Sequence, residues 1–510
     1  MRSFPRFSAL AMLSAATVLA GCTTSPVPLQ ETEIADRATD YLQRVTADQE
    51  PITGAVDLYE AMARALKYNL DHRVEAMDAA LRIRELDLSH FNLLPNVVAK
   101  SGYAARDRFS ASSSFNILTQ TSNFGASTSQ EKKIKTADIE FSWNILDFGL
   151  SYVRARQAGD KVLLAQEMRR KVMHRIVEDV RTAYWRAVSG ERLLKKLHAL
   201  ERRVRRAQRS SRSIAAERSS SPIIAVTYER ELVGVKRAIL ELERDLVIAK
   251  TQLAALINVD PGTPFRLAIP KRRTAQLAVN MNVQHMVWTA MNNRAELRDV
   301  WYKERINQHE ADAAFLELLP GIQAYAGTNY DSNEFLYNHN WLTWGAKASW
   351  NLLRIVQYPA KRRVIEAQGD LLDQRALAVT MAIMTQVHIS RVRFHHFRKE
   401  LQTAKEYLNV QRRLLRLMRI ESSAGRISDQ NIIREEMNTL VAEAKRDIAH
   451  ASLQNAFANI FASMGLDTVD PSFSPDQSVA SLAASLREIW FERGDYAAVR
   501  RYRQAKFQKN

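Results

Sequence analysis

The stretch Ser142–Leu150 reads SWNILDFGL, and Ser349–Gln357 reads SWNLLRIVQ, 207 positions later (349 − 142). Chance repeats do not keep a common spacing over other landmarks. Here LAALINVD ends at Asp260 and IFASMGLD at Asp467, again 207 apart. Upstream, Leu93-Leu94-Pro95 recurs as Leu318-Leu319-Pro320, now 225 apart, so the first copy carries 18 extra residues (225 − 207) between its LLP and its SWN. The extra length falls in SASSSFNILTQTSNFGASTSQEKK, Ser/Thr-rich and polar, which reads as an elongated loop. The chain is thus expected to be two tandem copies of one structural unit.

The alternation around the phrase gives the local structure. Ala137, Ile139, Phe141, Trp143 and Ile145 fall on one side, and Thr136, Asp138, Glu140, Ser142 and Asn144 on the other. Period two over about ten residues has the length and pattern of a transmembrane β-strand with lipid on one face and water on the other. The second copy sets Leu342, Trp344, Ala346, Ala348, Trp350 and Leu352 against Thr343, Gly345, Lys347, Ser349 and Asn351. Each copy also has a partner strand just after its LLP, with Val97, Ala99, Tyr103 and Ala105 facing away from Asn96, Lys100, Gly102 and Arg106. In the second, Ile322, Ala324 and Ala326 face away from Gln323 and Asn329. A half-buried antiparallel sheet in water produces the same alternation. A Trp near the end of each SWN strand suits an aromatic girdle at a membrane interface. Four strands cannot close a barrel, and lipid does not tolerate open edges, so a barrel requires several copies of the chain.

Between the strands the composition is helical. No proline occurs between Pro95 and Pro222 or between Pro359 and Pro471. A helix from Gly149 to about Arg218, about 68 residues, would reach roughly 100 Å at 1.5 Å per residue. The SSSP at Ser219–Pro222 turns the chain. The return helix carries Leu232, Val235, Ile239, Leu242, Leu246, Ala249, Leu253 and Leu256, a three-four alternation that forms a coiled-coil seam. It is about half the outbound length, and Val283–Leu319 supplies another half-length stretch. In the other copy, Val56–Leu94 plays that part for the long helix that follows Pro359. The breaks at Thr23–Gly54, Val259–Asn282 and from Asp467 onward are expected to gather near the middle of the helical part.

The N-terminus speaks to compartment. Arg2 and Arg6 form a basic region, Ala9–Ala20 an apolar run too short to span as a mature helix, and Leu19-Ala20-Gly21-Cys22 a cleavage-like junction at the sole cysteine of the chain. That junction resembles the bacterial lipoprotein signal, which implies cleavage before Cys22 and lipidation of its sulfur; Thr23 after it, by the family rule, favours the outer membrane. The sequence holds 73 basic and 56 acidic residues, an excess that ordinarily raises nucleic acid as a partner. Export removes that partner. The densest basic stretch, about 192–218, reads either as a solvated helix face near anionic envelope components or as a guide for anionic cargo.

Strand, long helix, tip turn, half helix, connector, half helix and strand, given twice behind a lipoprotein-like signal, resembles the TolC family of outer-membrane factors over essentially the whole mature chain. The resemblance implies an α+β fold: a long α-helical coiled-coil barrel continuous with a transmembrane β-barrel completed by trimerisation, built from two tandem structural repeats. It implies this division: signal peptide 1–21; equatorial segment 22–54; first repeat 55–258, with strands about 96–107 and 136–147 and a tip near 219–222; connector 259–282; second repeat 283–466, with strands about 321–331 and 341–353 and a tip near 422–428; and equatorial segment 467–510. Trp143 and Trp350 would lie at the membrane interface. The tips, Ser220, Ser221 and Pro222 on one side and Gly425, Arg426 and Ser428 on the other, would meet a periplasmic adaptor. AGRIS at 424–428 is similar to the family's V-G-T or V-G-L turn. Some relatives ring the aperture with two acids after that glycine; the matching positions here hold Asn431 and Arg434, followed by Glu435 and Glu436. An acidic cation-binding ring does not match, which leaves an Arg434–Glu435 ion-pair network across protomers or plain solvated helix residues.

No phosphate-binding G-x-x-x-x-G-K, H-E-x-x-H or metal-spaced cysteine set occurs. Ser129–Lys132 fits S-x-x-K but falls in the polar loop. His388, His395 and His396 could share a helix face as ligands, yet Arg391, Arg393 and Arg398 beside them disfavour a cation. The expected function is therefore not enzymatic and needs no cofactor or metal: a trimeric outer-membrane exit duct for an efflux pump or type I secretion system. Its partners are two further copies, an adaptor, an inner-membrane pump and outer-membrane lipid. The rival reading is a lipid-anchored periplasmic coiled-coil tether without a pore, which has no use for four alternating strands.

Overall fold

A computed structural model describes residues 27–47, 49–216, 222–269, 281–467 and 476–493. Residues up to Pro51 form a unit of their own, whose helix α1 (Glu31–Arg44) carries the i,i+4 ion pairs Glu33–Arg37 and Asp40–Arg44 and buries no residue. The second unit, from Ile52 on, holds everything else in the order α2 (Leu58–Tyr68), α3 (Leu70–Phe91), β1 (Asn96–Ala105), β2 (Ser112–Asn116), β3 (Thr121–Ser127), β4 (Lys133–Asn144), α4 (Ile145–Ala216) and α5 (Pro222–Leu256). There follow α6 (Val283–Asn293), α7 (Ala295–Leu316), β5 (Gly321–Asp331), β6 (Asn340–Ser349), α8 (Leu353–Ser423), α9 (Asp429–Ser463) and α10 (Val479–Glu492).

The spacings found in the sequence govern the elements. From α2 to α6, from α3 to α7 and from β1 to β5 the first residues differ by 225 (283 − 58, 295 − 70, 321 − 96). From β4 to β6 and from α5 to α9 they differ by 207 (340 − 133, 429 − 222). The 18 additional residues are not a loop: they hold the two-stranded β2–β3 sheet, which folds on itself with Asn116 opposite Thr121. Polar composition hid a hairpin that has no core to face.

The other four strands form one antiparallel sheet in the order β1-β4-β5-β6. β4 starts three residues early, at Lys133, and three C-terminal ends differ from expectation. β1 stops at Ala105, β4 at Asn144 with α4 starting on the next residue, and β6 at Ser349 rather than 353. Asn144 and Asn351 explain the last two, because each side chain accepts a backbone N–H two residues on, from Leu146 at 3.0 Å and from Leu353 at 3.2 Å, and so opens the following helix.

Both half-length stretches are interrupted. Asn69 (φ −60°, ψ 129°) divides α2 from α3, and Arg294 (φ −71°, ψ 128°) divides α6 from α7, again 225 apart. α4 and α8 instead run 72 and 71 residues without a break, each about 107 Å long at 1.5 Å per residue. α8 passes through Pro359, beyond the first turn, where a proline gives up one i→i−4 hydrogen bond. Toward the strands the helices pack side by side as α3-α4-α7-α8, and toward the tips as α5-α4-α9-α8. The coiled-coil seam is buried as its spacing requires: Leu232, Ile239, Leu246 and Leu253 lie inward at steps of seven, the first three against Leu193, Leu197, Leu200 and Val204 of α4 and Ile433, Met437, Leu440 and Ala444 of α9. Each buried leucine stabilises by roughly 1.5–3 kcal/mol relative to exposure.

The segments between the halves meet where the half-length helices break. Val56 pairs in parallel with Leu267. α10 packs on α2, and Arg170 of α4 bonds both Asp467 and the Gly465 carbonyl, the latter at 2.6 Å. Thr23–Gly54 falls largely in the first unit or outside the described residues.

Candidate channel wall and helix tips

The four-stranded sheet has two chemically distinct faces. Residues opposite each other in register share a face, so Val97, Phe141, Ala326 and Trp344 form one row and Ala99, Ile139, Thr328 and Leu342 the next. Val97, Phe141, Trp344, Ile139 and Leu342 are all solvent-exposed. The opposite face carries Lys100, Asp138, Glu140, Asn329 and Thr343, with Lys100 on Glu140 at 3.2 Å and the Asn329 amide donating to Thr343 at 2.9 Å. On β4 from Thr136 to Asn144 the polar side chains are the more covered ones and the apolar side chains the more exposed, the inverse of a water-soluble sheet. Trp143 lies on the apolar face at the helix end of β4, edge-on to Phe148 with centroids 5.6 Å apart. Trp350 follows β6 and donates its indole N–H to the Leu318 carbonyl at 2.9 Å. Among the described residues no helix is long and apolar enough to cross a membrane.

At the second tip, α8 ends in a Schellman turn. Gly425 takes φ +76°, its N–H bonds the Ser422 carbonyl at 2.9 Å, and the Arg426 N–H bonds the Glu421 carbonyl at 3.0 Å. Arg426 also pairs with Glu421 at 3.2 Å, and Ser428 is the N-cap residue of α9 without a side-chain cap bond. Asn431 accepts from Arg434 at 3.3 Å, and Arg434 reaches Glu231 of α5 at 3.6 Å. Glu435 does not join Arg434. It is buried, accepting from Gln411 of α8 and from Asn438 at 3.2 Å, so the two neighbours face different helices. Of the first tip, Ser220 and Ser221 lie outside the described residues, as does Cys22, and Pro222 opens α5.

Behind the tips, α9 is clamped between two long helices. Glu436 accepts from Arg203 of α4 at 2.6 Å and from Arg419 of α8 at 2.8 Å. One heptad on, Glu443 accepts from Lys196 of α4 at 2.6 Å and from Arg412 of α8. All three members step by seven (443 − 436, 203 − 196, 419 − 412), in opposite directions, because α9 runs antiparallel to both neighbours. The Glu443 side chain is only 4% exposed. Burial pushes its carboxyl up, but the Lys196 and Arg412 hydrogen bonds and charges outweigh burial and hold it below its ordinary value.

Where the half-length helices break, the breaking residue ties off the end of the return helix beside it. The Asn69 amide donates to the Leu256 carbonyl at 3.2 Å while its oxygen caps α3 through the Asp71 and His72 N–H groups. Arg294 donates to the Ala462 carbonyl at 3.2 Å and to Gln386 at 2.8 Å. Past the return helices, Asn258 and Gly465, 207 apart, both take positive φ (56° and 67°). His72, buried here, receives the Arg169 Nε–H at 3.2 Å and is pushed down to about 4 by burial and by that guanidinium.

No protein-family model matches the sequence, and no curated protein does. Solved structures do. The Campylobacter jejuni CmeC outer membrane channel superposes with a TM-score of 0.66 over 91% of this chain and 98% of its own, at 11% identity. The Neisseria gonorrhoeae MtrE outer membrane channel, in its open state, gives 0.61 over 80% and 89%, at 14% identity. CusC, whose structures concern its folding and transmembrane channel formation, gives 0.61 over 83% and 96%, at 14% identity. The chain has the TolC-type channel fold.

Two features of this TolC-type chain escape sequence reasoning. The heptad clamp consists of charged residues, which read as a solvated helix face until three helices are brought together; their common step of seven is the signal that could have found it. The helix breaks contain neither Gly nor Pro. Only Asn69, an N-cap residue type, marks its break, whereas Arg294 carries no local signal. Of the histidines weighed as ligands, His395 is held below its ordinary value by burial and by Arg398, Arg391 and Lys399. Among the described residues no group of three or more His, Cys, Asp or Glu is placed to hold a metal ion.

Proposed function

We propose that three copies of this chain form an outer-membrane channel-tunnel through which substrates leave a tripartite efflux pump or a type I secretion system. The observation that carries this reading is that both edges of the chain are unfinished in the same way. β1 and β6 are sheet edges with unpaired backbone groups, which lipid does not tolerate. Beneath them the edge helices expose apolar residues at coiled-coil spacing: Val74, Met77, Leu81, Leu88 and Phe91 on α3, and Tyr407, Val410, Leu414 and Leu417 on α8. On α5 the exposed set is Val226, Val233, Leu240 and Val247, every seventh residue. Strand β6 runs antiparallel to the β1 of a next copy, so pairing them continues the sheet without reversal. Three chains of four strands give the twelve-stranded barrel of the TolC type.

In this reading the apolar face of the sheet meets lipid, and Trp143 and Trp350 stand at the periplasmic interface. The Cys22 sulfur carries the lipid anchor. The tip residues Ser220, Ser221, Pro222, Gly425, Arg426 and Ser428 dock a periplasmic adaptor coupled to an inner-membrane pump, and Asn431 and Arg434 stand near the aperture. Glu435, the third aperture candidate, packs behind them against Gln411. Transport is passive conduction, and no residue acts catalytically.

The test is electron microscopy and mass measurement on particles extracted from outer membranes in mild detergent. A trimer roughly 140 Å long, ~100 Å of helix plus a barrel about 40 Å tall, is expected. A monomer, or a slender dimer without a barrel, leaves the periplasmic tether as the better account.

A further inference from the structure

The two ends of the apolar face of β4 differ. From the helix junction outward this face carries Trp143, Phe141, Ile139 and Ala137, and then Lys135 and Lys133. Register places Lys135 opposite Tyr103 and Ala137 opposite Tyr330, so the lysines rise from a second aromatic level. Tyr103 and Tyr330 are exposed, as are Lys133 and Lys135. Among the described residues neither lysine side chain forms an ion pair. Arg106 and Lys132 continue the same β1–β4 ladder, the Arg106 N–H donating to the Lys132 carbonyl at 2.8 Å.

Ten residues separate Lys133 from Trp143, about 33 Å along a strand, or about 25 Å across a membrane at the usual barrel tilt. That is the height of one apolar band. The lysines therefore stand one membrane thickness from the tryptophan, at the end away from the helices. Long lysine stems cover apolar surface while their heads reach an anion at the boundary.

We propose that Lys133 and Lys135, with Tyr103 between lipid and headgroup, bind the phosphate groups of the phosphorylated glycolipid of the outer leaflet. The inference rests on the channel reading, which sets the helices in the periplasm and so puts this end of β4 outside. The pair acts as a collar that fixes the depth of the barrel.

Native mass spectrometry of the full-length protein in detergent, with added bis-phosphorylated lipid A or its dephosphorylated counterpart, tests it. The wild-type trimer is expected to prefer the phosphorylated lipid, and Lys133→Gln and Lys135→Gln each to weaken that preference roughly fivefold. The double variant should bind both lipids alike while keeping its trimer mass. Equal binding of the two lipids by the wild-type trimer, or an undiminished preference in the double variant, overturns the proposal and leaves the channel reading standing. Loss of the bound lipid on adding millimolar inorganic phosphate would make this a site for free phosphate and also overturn it. A monomer in the same spectrum overturns the channel reading first.

Discussion

Two glycines show how differently one residue type can be required. Gly425 and Gly465 both take positive φ, where an L side chain is strained by about 1–2 kcal/mol. A Cβ on Gly425 meets nothing within 4 Å, whereas one on Gly465 comes within 2.7 Å of the Asn293 carbonyl carbon and 2.8 Å of the Arg294 nitrogen. Backbone cannot swing aside as a side chain can. Gly425→Ala is therefore expected to cost about 1–2 kcal/mol and Gly465→Ala about twice that or more, since overpacking adds roughly 1–3 kcal/mol. Helical circular dichroism through a denaturant titration reads both, and equal small shifts would show that the break at Arg294 moves freely. Histidines give a second prediction. His72 and His450 lie near 4 in the fold against an ordinary 6.5, in both cases through burial first and arginine charge second. A depressed value means that the unfolded chain binds the proton more readily, so their contribution is intact above pH 6.5 and is lost as pH falls toward about 4. The thermal midpoint should drop across that window, and replacing both by Gln should flatten the drop.

At the scale of elements, the clamp on α9 is the feature with the most consequence for stability. Lys196 and Arg412 are half-exposed and can be solvated if Glu443 is neutralised, so Glu443→Gln is expected to cost only about 1–3 kcal/mol. Removing both bases as Lys196→Met with Arg412→Met strands a buried carboxylate and should cost about 3–5 kcal/mol. Each single base change should cost much less than half of that, because the other base still holds the carboxylate. A double-mutant cycle in urea measures the non-additivity, and simple additivity would dissolve the idea of a three-membered clamp. The strands were legible in the sequence because one face of each is apolar over ten residues, a pattern that only a sheet explains. The β2–β3 hairpin was not legible, since residues such as Ser112, Ser114, Asn116 and Asn123 leave no contrast between faces. The seam of α5 was legible from leucine spacing alone. The clamp beside it was not, because Glu436 and Glu443 betray their role only through partners on two other helices, 17 to 247 positions away.

For the whole molecule, on the channel reading proposed above, closure is the step a single chain leaves undone. Assembly should fail first at the exposed stripe on α3 when the chemistry of that stripe is changed. Met77→Lys with Leu81→Lys sets two charges into an apolar seam while touching none of the chain's own core, both side chains being exposed. Mass photometry in detergent is expected to show a shift from trimer to monomer, with the far-ultraviolet helical signal of the single chain retained. A trimer that tolerates both lysines would place the meeting of copies elsewhere on the helices. The sequence called for several copies from its strand count alone; the stripe on α3 shows only once the fold separates it from the buried side of that helix.

The junction between β4 and α4 has a mechanical meaning. Asn144 is the last residue of the strand and Ile145 the first of a helix 72 residues long, so no joint lies between them, whereas three residues separate β6 from α8. A twist applied at the tip end of α4 travels as through a solid shaft into the sheet, while on the α8 side the same twist meets a coupling with slack. Any rotation of the tips would thus be felt in the sheet once per chain, through one strand of the four.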